Sequence, residues 1–253
     1  MMRMTDTVKQ LLIINIIFYI GSNYVGDMAY ELFSLYYPEN PSFRYWQPLT
    51  SMFMHAKIPN FMHILFNMFA LYSFGSALEH YWGSKKFLFF YISCGLGASL
   101  LYMGMNYYTF HHGVNLLVEN GQDQAYILKT LAEGKYDTNW ENIIPLSDFS
   151  SMMSSYLVPA VGASGAIYGL LTAFAFMFPN AELGIMFIPI PIKAKYFVPG
   201  LLAVDLFLGF KGSSIFGSGG TGVAHFAHIG GALTGFIMMW YWKKNSFNKN
   251  RWD

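Results

Sequence analysis

Three short stretches of this 253-residue chain hold side chains suited to chemistry. Ser164 stands in GASGAIYG, His225 and His228 in HFAHIGG, and His63 and Asn67 in MHILFN. A serine hydroxyl is a poor nucleophile until a neighbouring base takes its proton, and His228 is a base of the right type. The oxyanion that such an attack creates must be met by hydrogen-bond donors. The Ser164 backbone N–H and the side chains of His63 and Asn67 are suited to that task. A third carboxylate to orient the histidine is not evident. Asp205 is the one acid well inside an apolar segment, and it reads as a structural hydrogen-bonding group. Tyr168, one turn beyond Ser164, would hold the imidazole by ring stacking instead. Each residue also has a plainer use: Ser164 as a small packing residue, His228 as a helix-end histidine on a carbonyl, His63 and Asn67 as interhelical glue. His225 reads as a polar residue lining a cavity.

The elements that must position these groups are set by composition. Hydrophobic residues make up 54% of the chain and charged residues 11%, against about 25% charged in a typical soluble domain. With 24 Phe, 16 Met and a mean hydropathy of +0.33, the chain is built to be solvated by lipid, which excludes a disordered tail and argues against an ordinary soluble enzyme. The formal net charge of +1 provides no field for nucleic acid. The single cysteine, Cys94, excludes internal disulfides and cysteine metal clusters.

Six apolar segments, at about 9–30, 61–82, 87–108, 159–178, 196–210 and 223–242, predict an all-α membrane protein. The apolar stretch 185–192 is broken by Pro189 and Pro191 and reads as a loop at the membrane interface. With both termini in the cytoplasm, that side receives twice as many Lys and Arg residues as the other, as the positive-inside rule requires. A bacterial inner (plasma) membrane fits this orientation. The second, fourth and sixth segments then all enter from the outer face, so the three polar clusters share one shallow depth. Polar groups at such positions are costly and mark candidate functional sites. Gly165 and Gly169 on the fourth segment, and Gly231 and Gly235 on the sixth, form small-xxx-small pairs that let helix backbones approach closely. Residues 1–253 are expected to form one domain, with an external loop insertion at about 110–156. Within that insertion, DQAYILKTLAEGKY has helical spacing with Gly134 as a stop, as either a small surface helix or a linker. His111 and His112 lie at an interface, and no metal site is expected.

The three motifs, in this order and on these segments, resemble the rhomboid family of intramembrane serine proteases. GASGAIYG is similar to that family's GxSG motif with its following tyrosine, MHILFN to its HxxxN, and AHIGGALTG to its HxxG continuing to a second glycine. The resemblance covers roughly residues 13–242 and implies a six-transmembrane-helix rhomboid-like bundle of the compact bacterial type. It implies Ser164 as nucleophile, His228 as general base and acid, and an oxyanion hole of His63, Asn67 and the Ser164 amide. Tyr168 would stack on His228, Gly162 and Gly165 would permit the turn at the nucleophile, and Gly231 and Gly235 would permit close packing, with His225 in support. His55 matches a first-loop histidine of the family, and Glu79 a structural element. Two features depart from the pattern. Trp46 is followed by Gln47 where the family has Trp-Arg, with Arg44 two residues before Trp46, and the loop after the third segment is long.

The implied function is hydrolysis of peptide bonds in or near transmembrane segments of other proteins, with no cofactor. Partners would be transmembrane protein substrates and membrane lipids, not nucleic acid. The alternative is a non-catalytic scaffold of the same fold that binds client helices; inactive relatives lose the serine or the histidine, and this chain keeps both. A transporter would want midplane charges and repeated halves, and neither is seen.

Overall fold

The computed structural model describes residues 3–185, 188–211 and 223–245. Helix α1 (Asp6–Val25) carries the first apolar run and ends at Gly26, whose φ of 80° turns the chain into the short α2 (Asp27–Phe33). A loop holding α3 (Gln47–Thr50) and a 3-10 turn leads to α4 (Met62–Ala70). That helix continues through a π turn at Leu71–Gly75 into α5 (Ser76–Trp82), giving one helical path over the second apolar segment. Helix α6 (Ser84–Glu119) has 36 residues, about 54 Å of rise against a hydrocarbon core of about 30 Å. Among the described residues, α1 and α6 are the helices long and apolar enough to cross a membrane. The remaining helices α10 (Ser164–Met177), α11 (Ala194–Lys211) and α12 (Val223–Asn245) are shorter, interrupted or more charged. The fold is largely helical, and among the described residues the two helices that pass this test are fewer than the six spans expected.

Two segments are more regular than expected. Of the stretch 185–192, the described residues are paired strand and not irregular loop: β1 (Glu182–Ile185) pairs antiparallel with β2 (Ile188–Lys193), with Glu182 opposite Lys193 and Leu183 opposite Ile192. In a two-stranded ribbon each strand keeps one unpaired edge, where the missing N–H of a proline costs nothing. The insertion at about 110–156 is largely helical, so of the surface helix and the linker left open within it the helix is the one formed. Helix α6 runs on through it to Glu119, and α7 (Gln124–Ala132), α8 (Trp140–Ile143) and α9 (Leu146–Leu157) follow. Asp123 caps α7 by accepting from the Tyr126 N–H at 2.8 Å, and Gly134 stops the run at φ 72°. These helices close over a core of their own, in which Phe110 and Leu117 of α6 pack with Ile127, Trp140, Met152 and Tyr37.

The bundle is tied to the first turn of α1. Glu79 of α5 accepts from the Thr7 and Val8 N–H groups at 3.0 and 2.9 Å, from the Thr5 hydroxyl at 2.5 Å and from the Ser84 hydroxyl at 2.7 Å. The first turn of α1 thus finds acceptors for its orphan donors on another helix. Replacing Glu79 by Ala leaves those buried donors unpaired and is expected to cost about 3 kcal/mol. The expected readout is a thermal unfolding midpoint in detergent lower by several degrees; an unchanged midpoint would contradict this role.

At the centre, α6, α10 and α12 meet with almost no side chain between them. A Cβ on Gly231 would stand 1.8 Å from the Gly165 carbonyl oxygen, and one on Gly235 2.9 Å from that of Gly169. A Cβ on Gly97 of α6 would meet Thr234 of α12 at 1.9 Å. The two small-xxx-small pairs therefore face each other across one seam.

Candidate active site

Ser164 is the first residue of α10. The chain reaches it in extended form, bridged at Ala160 to Leu35, so the helix starts five residues later than the fourth apolar segment. Gly162 turns with φ +131°, donates its N–H to the Ser51 carbonyl at 2.9 Å, and would press any Cβ to 3.1 Å from the His63 ring. Both the backbone angle and the space call for glycine.

From α12, His228 brings Nε2 to 3.0 Å from the Ser164 hydroxyl. Its ring lies flat on Tyr168, with centroids 4.2 Å apart and planes within 8°. Tyr168 and Ser164 are four residues apart on α10 and so share a face. The facing glycines set this approach, because Gly165 follows Ser164 directly and Gly231 lies three residues beyond His228. The N-terminal end of α10 also points its unpaired N–H groups and the positive end of its dipole at the serine.

His63 stands on the other side of Ser164. Its Nδ1 accepts from the Ala56 N–H at 3.1 Å, so the neutral ring carries its proton on Nε2, the atom against Gly162. That presents a donor to the space beside the serine. Asn67 is buried on the same helix, but its amide donates to the His63 carbonyl at 2.7 Å. His55 is fully buried behind His63, its ring 5.3 Å away edge-on, with Nε2 2.9 Å from Asn15 of α1. It braces the oxyanion side of the site against the first helix.

The reading of the sequence missed one group. Asp205 of α11 is 3% exposed and lies 3.3 Å from His228 Nδ1, and the same oxygen also contacts His225 Nδ1. A carboxylate does therefore stand behind the histidine. His225, expected to line a cavity, is instead buried against Asp205. The signals that could have found it were an acid inside an apolar segment and two histidines three apart on one helix face. Asp205, His225 and His228 present donor atoms within 4.8 Å of one another, a set that could also hold a metal ion. His111 and His112 do not converge: they face Glu39 at 2.9 Å and Asp148 at 3.9 Å.

Gln47 occupies the place of the arginine. It is fully buried, accepting from the Tyr36 N–H at 3.2 Å and donating to the carbonyls of Glu31 and Ser42 at 3.0 and 2.9 Å. Trp46 donates to the Leu32 carbonyl at 2.8 Å, and Arg44 binds the carbonyls of Pro41 and Phe43. One amide thus ties three strands of the first loop, a task that needs donors and an acceptor but no charge. Nearby, burial and the Glu39 carboxylate push the Tyr37 hydroxyl well above its ordinary range.

Known proteins are similar to this chain over most of its length. An uncharacterized mitochondrial rhomboid protein of Schizosaccharomyces pombe is 26% identical over 233 residues, covering 85% of this chain and 55% of the relative. The mitochondrial RHOMBOID-like protein 12 of Arabidopsis thaliana is 26% identical over 190 residues, 75% of this chain and 44% of the relative. The mitochondrial presenilin-associated rhomboid-like protein A of Danio rerio is 27% identical over 209 residues, 81% of this chain and 39% of the relative. The chain spans about half or less of the length of these relatives. All three are named as mitochondrial, which overturns the expectation of a bacterial plasma membrane and of the cytoplasmic termini tied to it. The rhomboid domain family model matches residues 42–118 and 143–245, leaving out all of α7 and most of α8. With well over half of its length so matched, and the serine, histidine and glycine seam all within the matched parts, the chain belongs to the rhomboid family.

Proposed function

We propose that this protein is an intramembrane serine endopeptidase that cuts transmembrane segments of other membrane proteins. In this reading the helical paths of α1, α4–α5, α6, α10, α11 and α12 make six crossings. The observation that carries the proposal is the 3.0 Å contact of Ser164 with a histidine already stacked on Tyr168. His228 Nε2 takes the Ser164 proton as Oγ attacks the substrate carbonyl carbon. The oxyanion is met by the first-turn N–H groups of α10 and by His63 Nε2, with Asn67 beside them. His228 then gives its proton to the leaving amine, and water releases the acyl group by the same steps reversed. A carbonyl locked in a helix offers no approach to Ser164, so substrates are expected to carry small or helix-destabilising residues at the cut.

The test is the full chain in proteoliposomes with a reporter transmembrane substrate and a fluorophosphonate probe. Cleavage together with a single labelled peptide containing Ser164 is the expected result. A folded protein that captures the reporter helix but neither cuts it nor takes the label would favour the scaffold reading instead.

A further inference from the structure

The exchange just described uses one nitrogen of His228 and leaves the carboxylate behind it unexplained. Asp205 lies on α11, inside an apolar helix, where an ionisable group is expensive and persists only with partners. Its Oδ1 meets two rings from α12: His225 Nδ1, and His228 Nδ1 at 3.3 Å. His225 and His228 are three residues apart and so leave the helix on one face. A carboxylate on Nδ1 keeps the imidazole proton there, so Nε2 stays bare and able to accept from Ser164 at 3.0 Å. When His228 takes up the serine proton, the resulting imidazolium faces an anion from which water is excluded. Tyr168 fixes the plane of the ring from α10 but can do neither of these things.

We propose that Asp205 is a positioning residue of the reaction, setting the tautomer of His228 and stabilising its charged form, with His225 holding the carboxylate in place. The proposal rests on the serine protease reading above. Its rival is a purely structural role, in which Asp205 merely ties α11 to α12. The titratable groups facing His228 are Ser164 and Tyr168 from α10, Asp205 from α11, His225 from α12 and His63 from α4. Asp205 is the one anion in that set.

The experiment compares the unaltered chain with Asp205→Asn and His225→Gln in proteoliposomes, reading kcat, KM, Ser164 labelling rate and thermal midpoint. For Asp205→Asn, kcat and labelling are expected to fall roughly a hundredfold with KM little changed. A folded Asp205→Asn with unchanged kcat overturns the proposal. So does a loss of cleavage and labelling no larger than the loss of folded fraction, which is the mark of the structural role. Where Asp205→Asn does not fold, His225→Gln decides: a loss of about tenfold in kcat, the worth of one hydrogen bond, supports the proposal, and an unchanged kcat overturns it. An unaltered protein that neither labels nor cleaves, by contrast, removes the protease reading itself and this proposal with it.

Discussion

Replacing Ser164 by Ala is expected to lower cleavage of a transmembrane reporter by about 10⁴-fold or more, and His228→Ala to do the same. The reason is geometric. The hydroxyl and Nε2 are 3.0 Å apart and share one proton, so each is useless to the chemistry without the other. The double variant should therefore be no slower than either single one, because groups that act as a unit are not additive. Both replacements remove atoms from a helix end rather than from a packed core, since Ser164 and His228 are half-buried, and thermal midpoints should shift little. Initial rates in proteoliposomes, with the fluorophosphonate label read alongside, provide the measurement. Losses that multiply in the double variant would mean the two residues act in separate steps, and residual cleavage in Ser164→Ala would move the nucleophile elsewhere.

How far such a site can be read from sequence depends on whether its geometry is local. Ser164 and Tyr168 are one helical turn apart, and their shared face follows from spacing alone. The Gly165–Gly169 and Gly231–Gly235 pairs are local too, and their repeat already favours a close crossing of two helices. Asp205 was not legible in this way. Its meeting with His228 depends on the rotation of α11, a helix with Pro199 in its interior and no marked polar stripe. Gln47 was equally opaque: the sequence shows only that an arginine is missing. The three backbone groups that its amide satisfies come from Glu31, Tyr36 and Ser42, brought together by the loop.

The same limit separates what was and was not legible in the fold. The apolar segments mark where helices run but not where they stop. Helix α6 continues eleven residues past its apolar window because Phe110, Val114 and Leu117 bury against α7, α8 and α9, contacts that no local pattern announces. The helical spacing of DQAYILKTLAEGKY and its Gly134 stop left α7 open as a helix or a linker, and its packing under Trp140 depends on residues far along the chain. The prolines at 189 and 191 spoke for a loop, yet both lie within a strand of a two-stranded ribbon.

The glycine seam yields the second large effect. In Gly231→Ala the new Cβ falls 1.8 Å from the Gly165 carbonyl oxygen and 2.6 Å from its carbon. The obstacle is backbone, which no side-chain rotation relieves, so α12 must move away from α10. Overpacking of this kind costs about 3 kcal/mol or more. The displacement also reaches the site, because Gly165 adjoins Ser164 and Gly231 lies one turn beyond His228. A shift of about 1 Å in the separation of serine and base is expected to cost roughly a hundredfold in kcat, even in the protein that remains folded. Gly235→Ala, whose Cβ would stand 2.9 Å from the Gly169 oxygen, should show the same effects more weakly. Gly104→Ala on α6 has nothing within 4 Å to meet, and the gain in helix propensity should leave its midpoint unchanged or raise it. Thermal midpoints and initial rates measured on all three variants provide the comparison. The order Gly231, Gly235, Gly104 in both readouts is what backbone contact across the seam demands. Equal effects at Gly104 and Gly231 would mean that helix propensity, and not the crossing of α10 and α12, governs how the serine meets its base.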